Sequence, residues 1–211
     1  MTEQITLHTT PEKYEKCFPN GCLSPPVALR SSEPGDIVQA VYMMDGHYFA
    51  NEAEWGYIPP KRTFVGKPIY YAAGDGITHK GTVASAFRNW RCVVPASNFT
   101  YLREVKGRMR RFKVYRRDRG LMLLAGIMEP NPPHLGGSEA TVALITTTPN
   151  WLLARHGLRL HAPLVLEQKQ VEPWLRPRTS IADVKSFIQS PADFALKVNV
   201  YLDPVAKPAL A

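Results

Sequence analysis

Short apolar runs, turn signals between them and 19 scattered prolines predict an α+β fold. The expected architecture is a mainly antiparallel β-sheet with several short flanking helices. Prolines at this density interrupt helices, which excludes a helical bundle. Asp45-Gly46, Lys106-Gly107 and the stretch 118–120 each signal a hairpin, and hairpins join antiparallel neighbours. The 211 residues suit one β-rich domain, 1–211, with neither repeat nor linker.

The elements follow in order. Thr10-Pro11 reads as an N-cap with proline at the first helical position, opening a short helix that runs to Cys17. Residues 19–34 form a loop rich in Pro, Ser and Gly. A strand over 37–44 turns at Asp45-Gly46 into 47–50, and 55–60 is a rigid, turn-rich segment. A strand is expected over 67–72, a helix over 82–90 and a buried strand over 91–95. Residues 121–128, the longest strongly apolar stretch, and 141–147 are the strongest core strands. Helices are expected over 149–155, 166–175 and 180–189, with a last strand over 196–202.

Composition narrows the function. Hydrophobic residues make up 45% and charged residues 21%, a globular balance that excludes disorder of the whole chain. A net charge of +8 and an isoelectric point near 9.5 point to an anionic partner, nucleic acid rather than membrane. The apolar run 121–128 is far too short to span a bilayer. No secretory signal is visible, and three cysteines fit a reduced, cytoplasmic chain better than a disulfide framework.

The densest charge lies between Arg103 and Arg119, where nine basic side chains meet only Glu104 and Asp118. Strand alternation is expected to place Arg108 and Arg110 along one side, with Lys113 and Tyr115 extending it. A nucleic-acid groove needs such cations for phosphates and aromatic rings for unstacked bases. Trp55, Phe87, Trp90, Phe99 and Tyr101 are the candidate rings. The competing reading is a solvated hairpin whose charges protect an edge strand. Cys17 and Cys22 lack further soft ligands at metal spacing, Cys92 reads as a core cysteine, and the six histidines form no zinc motif. His156 and His161 bracket residues 157–160. No phosphate-binding glycine loop or nucleophile elbow is present, so neither cofactor nor metal is expected.

Several segments taken together resemble the SRAP family, the SOS-response-associated peptidase domain. They are Trp55-Gly56-Tyr57-Ile58-Pro59, Arg91-Cys92-Val93-Val94-Pro95-Ala96, Leu124-Ala125-Gly126-Ile127, Leu144-Ile145-Thr146-Thr147, Pro163-Leu164-Val165-Leu166 and Pro173-Trp174-Leu175. Their order and spacing cover nearly the whole chain. The resemblance implies an open β-barrel with flanking helices, binding of single-stranded DNA, and capture of abasic sites. In the family an N-terminal cysteine closes a thiazolidine ring on the sugar aldehyde, assisted by an Asn, a Glu and a His, while arginines hold phosphates.

This chain departs from that pattern. Thr2 stands at the cysteine's place, Tyr71 and Ala73 replace the Asn and Arg of the Asn-Ala-Arg-x-Glu motif, and Asp75 replaces its Glu. Tyr101 and Leu102 replace the Glu and Trp of the Phe/Tyr-Glu-Trp motif. Arg159 stands at the family histidine, and His161 lies two residues on, on the same face if the segment is a strand. A threonine hydroxyl is a much poorer ring-closing partner than a thiol. The expected function is therefore binding of single-stranded or abasic-site DNA with degenerate or lost covalent chemistry. Trp55, Lys67, Arg88, Trp90, Arg91, Arg108, Arg110, Arg111 and Arg159 are the expected DNA contacts. A rival reading keeps an active enzyme built on Thr2, Asp75, Tyr101 and His161. In it the Thr2 α-amine, with a pKa of about 7.7–8.0, attacks the aldehyde. A second rival turns the old groove to protein contacts.

Overall fold

A computed structural model describes residues 2–19, 30–60, 66–130, 140–158, 161–189 and 196–202. Two sheets carry the fold. The first has five strands, β1 (Thr2–Leu7), β2 (Arg30–Ser32), β7 (Asn98–Val105), β8 (Arg108–Arg116) and β13 (Leu196–Leu202), in the order β13-β8-β7-β1-β2. The second contains β3 (Ile37–Met44), β4 (His47–Trp55), β5 (Tyr71–Ala73), β6 (Arg91–Ala96), β9 (Met122–Glu129), β10 (Ala140–Thr147), β11 (Ala162–Pro163) and β12 (Val165–Leu166). Its pairing path β10-β4-β3-β6-β9 returns to β10, so the strands form a closed ring. The neighbours are antiparallel except β4 and β5, which run parallel to β10. The α+β class is borne out, with this mixed second sheet.

β9 and β10 are buried on both faces, which is why their sequences are apolar without alternation. Leu123, Ala125 and Ile127 of β9 enter one core, while Met122, Leu124 and Met128 enter another. The first core is covered by α1 (Pro11–Cys17), α2 (Gly81–Asn89), α4 (Gln168–Leu175) and α5 (Ile181–Gln189), through Tyr14, Phe87, Trp174 and Val184. The second is covered by the five-stranded sheet, through Ile5, Phe99, Tyr101, Phe112 and Val114, and by α3 (Trp151–Arg155).

Local signals act where they were legible. Thr10 caps α1 by accepting from the Lys13 amide, with Pro11 next. Asp45-Gly46 and Lys106-Gly107 take positive φ at both residues, as a two-residue hairpin turn requires. Five segments differ from expectation. The turn at 118–120 makes no hairpin, since it carries the chain from β8 to β9 of the other sheet, and β2 forms within the expected loop 19–34 by pairing with β1. The strand over 67–72 shrinks to β5, preceded by a single bridge from Ile69 to Tyr57, because Pro68 offers no ladder donor. The strand after Asp45-Gly46 runs to Trp55 rather than residue 50, since β3 pairs with it as far as Glu54 despite the polar Asn51 and Glu52. β1 is an additional strand, formed by pairing with β7.

Candidate nucleic-acid interface

The β1–β7 register sets Thr2 opposite Tyr101, and the β7–β8 register sets Tyr101 opposite Phe112. Tyr101 and Phe112 share the inward face and stack with ring centres 5.0 Å apart and planes 10° apart. The Tyr101 hydroxyl is buried without a hydrogen-bond partner among the described residues. Burial pushes its pKa up to about 12, against the opposing pull of Arg103. The group is therefore a neutral phenol at physiological pH, unable to act as the base that a carboxylate would be.

One rung further on, Arg103 faces Arg110 directly across the β7–β8 ladder. Side chains two apart on a strand share a face, so both guanidinium groups follow the Tyr101–Phe112 pair. Like charges in directly opposed positions repel unless an anion or dipoles offset them. Part of the offset is visible. Arg103 Nη1 donates to the His156 carbonyl at 3.2 Å, at the C-terminal end of α3, where helix carbonyls carry partial negative charge. The Arg110 Nε is buried without a partner among the described residues. Gly157 suits this turn, since its φ is +92° and an added Cβ would lie 1.7 Å from Arg103 Nη1 and displace that guanidinium. The His156 ring lies 6.2 Å from that of Phe112, closing the cluster. Trp151, at the first position of α3, is 67% exposed, an unusual exposure for so large a ring.

The remaining expected residues fall into three groups. Lys67, Arg88 and Arg108 are exposed, as is Trp90 at 36%. Asp75 is also exposed, in the turn after β5 next to Ile77 of the helix-covered core, whereas Tyr101 belongs to the opposite core. His161 is exposed and precedes β11 rather than lying in it, and Arg159 lies outside the described residues.

The second group is interior. Trp55 is fully buried and donates its indole N–H to the Tyr70 carbonyl, so it presents no open ring face. Phe87 and Phe99 are likewise core residues. Arg91, only 3% exposed, spends its guanidinium on four carbonyls: Phe87 and Arg88 at the end of α2, Trp174 and Arg176 at the end of α4. These are terminal carbonyls that lack partners within their own helices. Burial without a counter-charge lowers the Arg91 pKa to about 10.

The third group corrects the expected basic face. The unbroken β7–β8 register puts Arg108 and Arg110 on one side and Arg111, Lys113 and Tyr115 on the other. The hairpin therefore distributes its cations over two surfaces. Arg103 and His156 stood in the sequence only as one end of the basic run and one end of the 156–161 stretch, not as neighbours. Only the cross-strand register and the return of α3 bring them together.

The family described as SOS response associated peptidase (SRAP) matches residues 5–207. This chain belongs to the SRAP family. Among solved structures, SRAP-family membership is accompanied by likeness to a phage-related protein of Bordetella bronchiseptica, with TM-score 0.73, 18% identity, and 96% of this chain and 94% of that one covered. A second Bordetella bronchiseptica protein matches with TM-score 0.76 and 15% identity over 94% of this chain and 99% of that one. A Bacteroides thetaiotaomicron protein matches with TM-score 0.67 and 20% identity over 92% and 83%. At these identities the likeness establishes a shared fold. No curated protein matches. Among the described residues, the SRAP domain here gathers no group of three metal-ligating side chains, and none of its helices is long and apolar enough to cross a membrane.

Proposed function

We propose that this SRAP-family protein binds single-stranded or abasic-site DNA in a DNA-damage setting, and that the family's covalent chemistry is degenerate here. The observation that carries the second half is Tyr101. At the position where the resemblance implies a carboxylate, a buried neutral phenol faces the backbone of Thr2 across the ladder. The opposed Arg103 and Arg110 support the first half, because a strand phosphate between them would relieve their repulsion and supply an acceptor to Arg110. Trp151, 67% exposed on α3, the helix whose C-terminal carbonyl Arg103 meets, offers a ring on which an unstacked base could rest.

The test uses single-stranded DNA carrying one abasic site, with and without borohydride. Binding is read on native gels and covalent capture on denaturing gels. The expected outcome is salt-sensitive binding with no covalent band. Arg103→Gln should reduce the slope of log affinity against log salt by about 0.7, one phosphate contact. A covalent band without reductant would overturn the loss of chemistry, and a band only after reduction would point to an amine forming a Schiff base. Salt-insensitive or absent binding would overturn the DNA reading.

A further inference from the structure

The opposite surface of the same hairpin carries a second concentration of positive charge. On β13, Lys197, Asn199 and Tyr201 pair with Tyr115, Lys113 and Arg111, so these six side chains share the outer face of the five-stranded sheet. Asn199 links two of the rings, accepting from the Tyr115 hydroxyl at 3.1 Å and donating to the Tyr201 hydroxyl at 3.1 Å. Tyr201 is 48% exposed on this face.

At the end of β8 the outer face deepens into a pocket of about 360 Å³ lined by Tyr115, Arg117, Arg119 and Lys197. Arg117 is oriented by donating from Nε to the Leu196 carbonyl at 3.3 Å. Arg119 adopts a left-handed backbone, φ 59°, and its guanidinium lies over the Tyr115 ring at 4.5 Å. The nearby carboxylate is turned elsewhere. Asp118 is occupied by the Arg116 guanidinium through both oxygens and by the Gly120 amide. Among the described residues, no carboxylate pairs with Arg117, Arg119 or Lys197.

Two oriented guanidinium groups and the Lys197 ammonium around one concavity, with the local acid sequestered, form a receptor for a compact, multiply charged oxyanion. Exposed cations that merely kept the chain in solution would have no reason to converge on one concavity. We propose that this pocket is a phosphate-binding site that holds the backbone of a nucleic-acid strand outside the Arg103–Arg110 cluster. The continuation of the face through Lys113, Arg111 and Tyr201 supplies further cations and an exposed ring for the same strand. The phosphate chemistry stands on the pocket alone. Only the identity of the phosphate's owner rests on the DNA reading.

The experiment begins with pyrophosphate titrated into the full chain at low salt, read by amide chemical shifts. The expected result is saturable shifts at Tyr115, Arg117, Arg119 and Lys197. The Arg117→Gln/Lys197→Gln double variant should weaken this binding about tenfold. Absence of shifts in the unaltered protein overturns the site, whether or not the variant folds. The second arm compares single strands of about 6 and about 20 nucleotides, the shorter fitting one groove and the longer reaching both surfaces. The double variant should lower the salt slope for the longer strand by about 1.4, two phosphate contacts, while sparing the shorter. An unchanged slope alongside pyrophosphate binding would overturn the nucleic-acid assignment and give the pocket to a free phosphate compound. Arg103→Gln provides the contrast, weakening both strand lengths, so failure of the pocket and failure of the cleft give different patterns.

Discussion

Tyr101 shows how one substitution sets both stability and chemistry. Its ring is well packed on Phe112, but its hydroxyl is buried without a partner. Leaving such a group unsatisfied costs about 1–3 kcal/mol. Tyr101→Phe should therefore leave stability unchanged or raise it by about 1 kcal/mol, as measured by urea unfolding. A loss of more than about 1 kcal/mol would show that the hydroxyl is well satisfied in solution. The sequence offered Tyr101 as a ring for unstacked bases and as a stand-in for the family's Glu, whereas the structure buries it in the core. Its place beside an opposed arginine pair was not legible either, because the pair depends on register rather than on spacing along one strand.

Arg91 acts between elements. Its four carbonyl acceptors belong to the C-terminal ends of α2 and α4, and Trp174 Nε1 donates to the Cys92 carbonyl beside it. The side chain thus ties two helices to β6 by satisfying groups that the helices themselves cannot. Arg91→Met should destabilise by about 3 kcal/mol or more, since several acceptors are orphaned at once. A change under about 1 kcal/mol in chemical denaturation would mean that water replaces the guanidinium without loss. In the sequence Arg91 was grouped with the phosphate contacts because it is basic and precedes an apolar strand. The partners that explain it lie 83 and 85 residues away, beyond any local pattern. The β7–β8 hairpin carries the same lesson. Its turn was readable in Lys106-Gly107, whereas the division of its cations between two faces required the register.

For the whole molecule, buried tyrosines dictate the alkaline limit. Tyr57 and Tyr101 both have pKa values pushed up to about 12 by burial, and burial also raises those of Tyr14 and Tyr48. A raised folded-state pKa contributes stability that is fully present below the unfolded value of about 10 and is lost as pH rises towards the folded value. Stability should thus hold up to about pH 10 and then fall between about pH 10 and 12. Each of these tyrosines contributes up to about 1.4 kcal/mol per pH unit. Arg91 opposes the trend, because its lowered pKa lets the folded state lose a proton earlier. Denaturant midpoints measured across this range check the sign, and a flat or rising profile would refute it.

The sequence alone carried the class, the strongest strands, the cap of α1 and the Asp45-Gly46 and Lys106-Gly107 turns. It also determined the family, because those features depend on neighbours along the chain and on motifs in order. Tertiary structure decided which charges share a surface. Strand parity and pairing separate Arg110 from Arg111, bring Arg103 to Arg110 and Lys197 to Tyr115, and withdraw Trp55 and Arg91 into the interior. A basic residue carries the same charge wherever it stands, but the burial and the partners that give it a role exist only once distant strands and helix ends have met.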